Sequence, residues 1–353
     1  MRTAPLGPLT VSSLCLGTML MGGRTPVEES HQILDRFLDA GGTFVDTADV
    51  YGDGDSERTL APWLASHRDE VVLATKVRME VSDPPGEGLA PDRIRAACDA
   101  SLRRLGVEVI DLYQVHAPDP GVPLEDTLEA LNGLVEAGKV RALGASNFPA
   151  WLLAWAVATQ DREGWAPFVS LQPQYSLVER SAELELLPFC RAAGLGVIPW
   201  GPLGAGFLSG RYRRGEAAPA GSRMGDAPDD VEEAVHRRAV ERNFQVVDAA
   251  EAIARDRGAT LPQIAIAWLL RQPGVSAPIL GPRTLAHLAD LLPATEIALG
   301  DDHLRRLAAL TPPPVVYPHR MNAAQAGTDP EQALARGPRQ AAVETLRVDE
   351  LTR

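Results

Sequence analysis

The stretch Gly42-Thr43-Phe44-Val45-Asp46-Thr47-Ala48-Asp49-Val50-Tyr51-Gly52 points most directly to the fold. A short apolar run ends in the carboxylate of Asp46, and Tyr51 follows at the edge of a glycine turn. Two later apolar runs end in the same way, Val71–Lys76 in a lysine and Val109–His116 in a histidine. A (β/α)8 barrel keeps its chemistry at such positions, where parallel strands end.

Short apolar runs alternate eight times with amphipathic stretches between Leu14 and about Leu310. Near-continuous apolar strands separated by helices are typical of a closed parallel sheet. We therefore predict an α/β fold, a (β/α)8 TIM barrel, as a single domain over residues 1–311. The expected strands are Leu14–Thr18, Thr43–Asp46, Val71–Lys76, Val109–His116, Val140–Gly144, Val169–Gln172, Gly196–Trp200 and Ala277–Leu280. The expected helices are Glu28–Ala40, Ser56–Ser66, Pro91–Leu105, Leu124–Ala137, Ala150–Gln160, Ala182–Ala193 and a long region Asp229–Arg271.

Three segments fall outside this alternation. Residues 2–11 turn at Leu6-Gly7-Pro8 and predict an N-terminal β-hairpin that closes the bottom of the barrel. Residues 211–232 form a long charged loop, a type that is usually functional or mobile. We expect the C-terminal tail, residues 312–353, to pack near the barrel mouth or to be partly disordered, with a short helix near Gln340–Val348.

Composition limits the class of protein. The net charge of −13 argues against a nucleic-acid partner. Three scattered cysteines without a CxxC pair fit buried thiols in a reducing cytosol. The first residues lack the pattern of a signal peptide, and the most apolar helix candidate, Trp151–Ala158, is far shorter than the ~20 residues of a membrane span. We expect a cytoplasmic protein with no membrane association and no metal; the sequence does not indicate an oligomeric state.

The order of Asp46, Tyr51, Lys76 and His116 at these strand ends resembles the catalytic tetrad of the aldo-keto reductases. The similarity extends to the longer bacterial members related to potassium-channel β subunits. A tyrosine has an ordinary pKa of about 10, and a nearby ammonium lowers that pKa toward values useful for acid catalysis. The resemblance implies that Tyr51 is the acid, that Lys76 held by Asp46 tunes it, and that His116 orients a carbonyl.

No G-x-G-x-x-G motif follows the first strand, so a Rossmann site is not indicated. The resemblance continues instead at the fifth strand, where Ser146 and Asn147, with Gln172, would bind the nicotinamide carboxamide. An alternative is that Ser146 and Asn147 cap the helix that begins near Pro149. After the seventh strand, Trp200 would stack on the nicotinamide, and the small residues that follow would let backbone amides approach the pyrophosphate.

Near the eighth strand, Arg283 and Thr284 resemble the family segment that binds the adenosine 2′-phosphate, which favours NADP over NAD. The chain departs from the family at His287 and Leu291, where glutamine and asparagine are common. The cofactor implied is NADPH/NADP+. The binding residues implied are Gly17, Thr18, Met19, Asp46, Ser146, Asn147, Gln172, Trp200, Gly201, Pro202, Leu203, Gly206, Leu208, Gly210, Arg211, Gly281, Arg283, Thr284, His287 and Asp290.

These features predict an NADPH-dependent oxidoreductase that reduces a small aldehyde or ketone. Two alternatives stay open: a tailoring reductase for large sugar or natural-product substrates, and a regulatory subunit that binds the cofactor with little turnover. Arginines of the 211–232 loop, namely Arg211, Arg213, Arg214 and Arg223, either meet a phosphate or are merely solvated. The substrate residues expected by position are Leu20, Met21, Val50, Met79 and Ala117.

Overall fold

A computed structural model describes residues 1–228, 234–313 and 316–325. The helix expected near Gln340–Val348 lies outside the described residues, as does most of the C-terminal tail.

Eight parallel strands form one curled sheet, which confirms the predicted (β/α)8 barrel. The strands run in the order β11-β10-β9-β8-β5-β4-β3-β12, so neighbours along the chain are neighbours in space apart from the small hairpins. Each of the eight lies inside or within two residues of a predicted strand. The strands are β1 Thr3–Leu6, β2 Leu9–Ser12, β3 Cys15–Gly17, β4 Phe44–Asp46, β5 Val72–Val77, β6 Val81–Ser82, β7 Pro85–Gly86, β8 Ile110–Val115, β9 Val140–Ser146, β10 Phe168–Gln172, β11 Gly196–Val197 and β12 Ile279–Leu280.

Hydrogen bonds between the first and last strands in the sheet order close the barrel. The Ser276 amide donates to the carbonyl of Val197 at 2.8 Å, and the Ile279 amide donates to that of Pro199 at 2.9 Å. A closed sheet has no unpaired edge, and all eight carboxyl ends therefore meet at one rim.

The predicted N-terminal hairpin is formed by β1 and β2, which pair antiparallel. Leu6 and Val11 of this hairpin are buried with Phe44, Leu112 and Ile198 in the apolar interior of the barrel. The hairpin therefore closes the end of the barrel opposite the rim described below.

Helices surround the barrel and bury their apolar faces against the outer faces of the strands. Among the described residues, none of them has the length and apolar character that crossing a membrane requires. The helices are α1 Val27–Asp39, α2 Asp55–His67, α3 Pro91–Leu105, α4 Leu124–Glu136, α5 Ala150–Glu163, α6 Leu186–Ala193, α7 Val235–Arg238, α8 Glu241–Arg257, α9 Leu261–Leu269, α10 Leu285–Leu291, α11 Asp301–Ala308 and α12 His319–Gln325.

The expectation of one helical region over Asp229–Arg271 is wrong. Its described part contains three helices, α7, α8 and α9, and residues 229–233 lie outside the described residues. Gly258 ends α8 with a φ of 61°, a conformation that favours glycine. Thr260 and Gln263 then form a capping box that starts α9. The break between α8 and α9 is therefore visible in the sequence as Thr-x-x-Gln, the pattern of a capping box.

Candidate active site

Lys76 lies at the centre of the group that the sequence analysis singled out. Its Nζ donates to Asp46 Oδ2 at 2.6 Å, to the carbonyl of Thr47 at 2.8 Å and to Tyr51 Oη at 3.2 Å. The lysine is fully buried and Asp46 is 2% exposed. Three donors thus meet three acceptors, which is what a buried ammonium requires.

The second carboxylate oxygen of Asp46 is held by two amides. Gln114 Nε2 donates to Oδ1 at 3.0 Å, and Gln172 Nε2 does so at 2.9 Å. Gln114 was not among the predicted residues. The signal was present, since Gln114 lies two positions after Leu112 and therefore on the same face of β8, which points into the barrel.

The Tyr51 phenol is protonated at neutral pH. Burial raises the pKa of Tyr51 above its ordinary value, and the charge of Lys76 opposes that rise without overcoming it. The expectation that Lys76 brings the pKa of Tyr51 below its ordinary value is therefore not met. For Lys76 itself, burial opposes the charged form, but Asp46 and Tyr51 outweigh burial and raise its pKa.

His116 is neutral and stands against the tyrosine. Its ring meets the Tyr51 ring edge-on, with 5.9 Å between centroids and an interplanar angle of 84°. Burial, followed by the charges of Lys76 and Arg78, lowers the pKa of His116 to about 3. Its Nδ1 is buried and has no hydrogen-bond partner in the described part of the chain.

Ser146, Asn147 and Trp200 are linked at the neighbouring strand ends. Asn147 Nδ2 donates to the His116 carbonyl at 2.9 Å, and Trp200 Nε1 donates to Asn147 Oδ1 at 3.0 Å. Ser146 Oγ donates to the carbonyl of Gln172 at 2.8 Å. Helix α5 begins without a side-chain cap, so the alternative that Ser146 and Asn147 serve as its cap is wrong.

A cleft of about 470 Å³ runs from Tyr51 and His116 across the rim to Arg283 and His287. Lys76 lies behind this surface and contacts it only through Tyr51 and Asp46. The predicted residues that line the cleft are Gly17, Met19, Leu20, Met21, Asp46, Tyr51, His116, Ser146, Asn147, Gln172, Trp200, Gly201, Pro202, Leu203, Gly206, Arg211, Gly281, Arg283, His287 and Asp290. The cleft is also lined by residues that the sequence analysis did not select as cofactor or substrate residues, namely Ala205, Ser209, Tyr212, Ser222, Arg223, Pro262, Ile279, Leu280, Pro282 and Leu291.

Several predicted cofactor residues support the cleft without lining it. Thr18 is buried behind the surface, where its hydroxyl contacts Ser56 Oγ at 2.7 Å. Leu208 packs in the core within a short 3-10 turn, which Gly210 ends. Thr284 caps α10, with its Oγ1 accepting from the His287 amide at 3.2 Å. These residues are therefore absent from the surface of the cleft itself.

Three of the five expected substrate residues, Val50, Met79 and Ala117, lie outside the lining of the cleft, whereas Leu20 and Met21 line it. All three positions follow the ends of strands, namely β4, β5 and β8. Sequence position identifies the strand end and does not give the direction of the side chain beyond it.

Four arginines gather at the end of the cleft away from Tyr51. Burial lowers the pKa of Arg283, and the charges of Arg24, Arg211 and Arg223 lower it further. Arg283 donates to the carbonyl of Gly221 at 3.2 Å. Arg283 thus lies among other cations although the protein as a whole is acidic, and one of these cations, Arg24, pairs with Asp226 at 4.0 Å.

The arginines of the 211–228 loop divide into two groups. Arg211 and Arg223 line the cleft, and Arg211 contacts His287 Nε2 at 3.2 Å. Arg214 instead pairs with Glu241 and Asp248, both at 2.9 Å, and Arg213 is exposed. Of the four, Arg213 fits the solvated interpretation, and binding of a phosphate by Arg211 and Arg223 stays a prediction.

Comparison with known proteins agrees with this geometry. Residues 13–312 match the model of the Aldo/keto reductase family. The chain is 38% identical over 318 residues to the oxidoreductase YrpG of Bacillus subtilis, covering 87% of this chain and 94% of that protein. It is 32% identical over 332 residues to norsolorinic acid reductase A of Aspergillus parasiticus, covering 89% and 81% of the two chains. Aldo-keto reductase AMT2 of Alternaria alternata is 33% identical over 332 residues, covering 85% and 88%.

The barrel, its rim cleft and these similarities define an oxidoreductase that acts on small carbonyl compounds. The chain belongs to the aldo/keto reductase family.

Proposed function

We propose that this protein reduces an aldehyde or ketone to the alcohol with NADPH, and that Tyr51 is the general acid. The observation that carries the proposal is the pair of contacts made by the buried Lys76 ammonium, 2.6 Å to Asp46 and 3.2 Å to the Tyr51 phenol. A fixed positive charge beside a phenol stabilises the phenolate that proton donation leaves behind.

NADPH, when bound, supplies the hydride, which no side chain can provide. As the carbonyl carbon gains that hydride, its oxygen becomes an alkoxide far more basic than a phenolate. Tyr51 carries its proton at neutral pH because burial raises its pKa, so it is ready to donate to this oxygen. The negative charge then rests on Tyr51 Oη, next to Lys76, and Asp46 keeps the ammonium in place.

His116 is proposed to orient the carbonyl. Its lowered pKa keeps the imidazole uncharged across the physiological range, so it can form a hydrogen bond without adding a second cation beside Lys76. Its edge-on contact with Tyr51 places both groups at the same end of the cleft.

The residues of the cleft fit a phosphorylated dinucleotide. The charges of Arg24, Arg211 and Arg223 disfavour the charged form of Arg283, and an anionic phosphate beside Arg283 would offset that effect, since a guanidinium matches a phosphate in geometry as well as charge. A third phosphate group on the adenosine adds to this attraction. This supports NADPH over NADH.

The relatives extend the range of substrates to be tested. Because several carry the name norsolorinic acid reductase, a large natural-product carbonyl is a reasonable second class. Leu20 and Met21, which line the cleft, suit apolar surfaces of either class.

A steady-state screen of aldehydes, ketones and norsolorinic acid, each with NADPH and NADH in parallel, tests the proposal. We expect oxidation of NADPH to depend on added carbonyl and to exceed that of NADH by at least about tenfold in kcat/KM. Tight NADPH binding without turnover on any carbonyl would identify a cofactor-binding subunit instead.

A further inference from the structure

We propose that Arg78 binds an anionic group on the carbonyl substrate, so that the preferred substrates are aldehydes or ketones that carry a carboxylate or a phosphate. This inference rests on the proposed reductase function and assigns its substrate class.

The backbone of Arg78 adjoins that of His116 at the rim, and its side chain, which is 25% exposed, lies just outside the set of residues that line the cleft. Arg78 follows the last residue of β5, two positions after Lys76. The carbonyl of the intervening Val77 accepts from the His116 amide at 2.9 Å, so the chain at Arg78 and the chain at His116 run side by side at the rim.

The backbone at Arg78 is in an unfavourable conformation. Its φ is +143°, in a range that residues other than glycine rarely adopt. Such strain persists where the surrounding structure enforces it, and it concentrates at functional sites. An arginine at a position suited to glycine therefore calls for an explanation beyond local folding.

The guanidinium has donors to spare. Its Nε is buried without a hydrogen-bond partner among the described residues. Its NH1 reaches only Met79 Sδ at 3.6 Å and a carboxylate oxygen of Glu87 at 3.7 Å, and the Glu87 side chain is 63% exposed. Such a long, solvated pair contributes little.

Arg104 shows what a structural arginine looks like in the same protein. It donates to Glu57 at 2.7 Å, to the carbonyl of Asp83 at 2.6 Å and to Ser101 at 3.3 Å. Arg78 has no comparable set of partners, and its planar fork is the geometry that carboxylates and phosphates accept.

The charge of Arg78 acts on His116, at the end of the cleft where Tyr51 lies. Together with burial and Lys76 it lowers the pKa of His116, which lines the cleft. An anionic group on a substrate whose carbonyl approaches Tyr51 and His116 is therefore attracted toward the side on which Arg78 lies.

Matched pairs of substrates test the proposal. One pair is 4-carboxybenzaldehyde and its methyl ester, and the other is glyceraldehyde 3-phosphate and glyceraldehyde. In the wild type we expect the charged member of at least one pair to have the higher kcat/KM, and which pair shows it distinguishes a carboxylate from a phosphate.

Arg78→Gln should lower the charged-to-neutral ratio of kcat/KM about 10- to 100-fold, mainly through KM. Arg78→Lys should lower it less, because the charge remains but the fork is lost. Glu87→Gln is the matched control and should leave the ratio unchanged. A ratio that Arg78→Gln leaves unchanged, or that Glu87→Gln lowers equally, overturns the proposal.

Two further readouts separate this inference from the reductase function. Turnover of the neutral aldehydes tests the reductase alone; if they are reduced and the charged members are not preferred, the reductase stands and the role of Arg78 falls. Titration of benzoate and of inorganic phosphate into the NADPH-bound protein needs no turnover. At least tenfold weaker binding of one anion by Arg78→Gln supports the proposal, and equal binding of both contradicts it.

Thermal stability distinguishes a binding role of Arg78 from a purely structural one. If Arg78 had a purely structural role, its replacement by glycine would lower the melting temperature of the protein. Because glycine suits a φ of +143°, we expect Arg78→Gly to melt at or above the wild-type temperature while losing the preference for charged substrates.

Discussion

The end of the cleft near Tyr51 and the end near Arg283 differ in how their charged side chains are compensated. At the catalytic end, the ammonium of Lys76 and both oxygens of Asp46 find all their partners within the chain. At the far end, burial and the charges of Arg24, Arg211 and Arg223 lower the pKa of Arg283, whose guanidinium donates to a neutral partner, the carbonyl of Gly221. The charges of the first end are compensated within the chain, whereas the charged form of Arg283 at the second end is disfavoured and would be stabilised by an anion.

This difference assigns the two ends of the cleft to different steps, the proposed proton transfer at the first end and cofactor binding at the second. Preorganised partners around Lys76 leave little to rearrange when charge develops on the Tyr51 oxygen. Arg283 instead would gain compensation from a bound anion, so its contribution should appear in cofactor affinity. Substitutions at the two ends should therefore change different constants.

The largest effect is expected from breaking the catalytic end. Lys76→Met removes the charge beside Tyr51 and should lower kcat about 10²- to 10⁴-fold, with NADPH affinity nearly unchanged. It also leaves Asp46 buried without its cation, which costs roughly 3–5 kcal/mol of stability. Single-turnover kinetics, NADPH titration and thermal unfolding measure the three effects.

The double variant Asp46→Asn/Lys76→Met is the control for Lys76→Met. It should recover part of the lost stability, because no uncompensated charge remains, but none of the activity. Activity of Lys76→Met within threefold of the wild type would show that the ammonium does not assist Tyr51.

A smaller effect is expected at the far end. Arg283→Ala removes a guanidinium from the positive cluster and should weaken NADPH binding about 10- to 100-fold while changing NADH binding less. The value of kcat at saturating NADPH should stay close to that of the wild type. Fluorescence titration with both cofactors gives the two affinities.

Arg213→Ala is the matched control for Arg283→Ala, since Arg213 is an exposed arginine on the neighbouring loop and lies outside the lining of the cleft. It should leave both affinities unchanged. Equal losses from Arg213→Ala and Arg283→Ala would indicate a general effect of net charge.

The smallest effect concerns Asp49, a buried carboxylate that belongs to neither end. Both of its oxygens lack hydrogen-bond partners among the described residues. Burial, and then the charge of Glu57, raise its pKa from 3.8 to about 7. The folded protein thus holds this proton more tightly than the unfolded chain, and its stability falls as pH rises from about 4 to about 7.

Asp49→Asn should abolish that loss. Between pH 5 and pH 8 the wild type should lose on the order of 2 kcal/mol relative to Asp49→Asn. Urea unfolding of both proteins across this range measures the difference. Parallel curves would show that Asp49 has an ordinary pKa.

The strand ends were predictable because each depends on a local pattern. An apolar run followed by Asp46 or Lys76 determines both the strand and its polar end, and the closed parallel sheet then brings these ends to one rim. The capping box at Thr260 and Gln263 was equally local, yet the length of the helical pattern around it obscured the break.

Features that depend on distant residues could not be predicted in this way. Tyr212 and Ser222 reach the cleft only because their loop folds across the rim. Met79 lies near a strand end but outside the lining, and it follows Arg78, whose positive φ the sequence does not reveal. The rise in the pKa of Tyr51 depends on burial by the whole rim, which the spacing to Lys76 does not reveal.

The most direct measurement is the rate of NADPH oxidation in a single turnover by Tyr51→Phe, alongside its NADPH dissociation constant. The phenylalanine keeps the ring against His116 and removes only the hydroxyl that Lys76 contacts. We expect the rate to fall by at least about 10²-fold while the dissociation constant stays within threefold of the wild type. A rate close to that of the wild type would contradict the assignment of the Tyr51 hydroxyl as the proton donor.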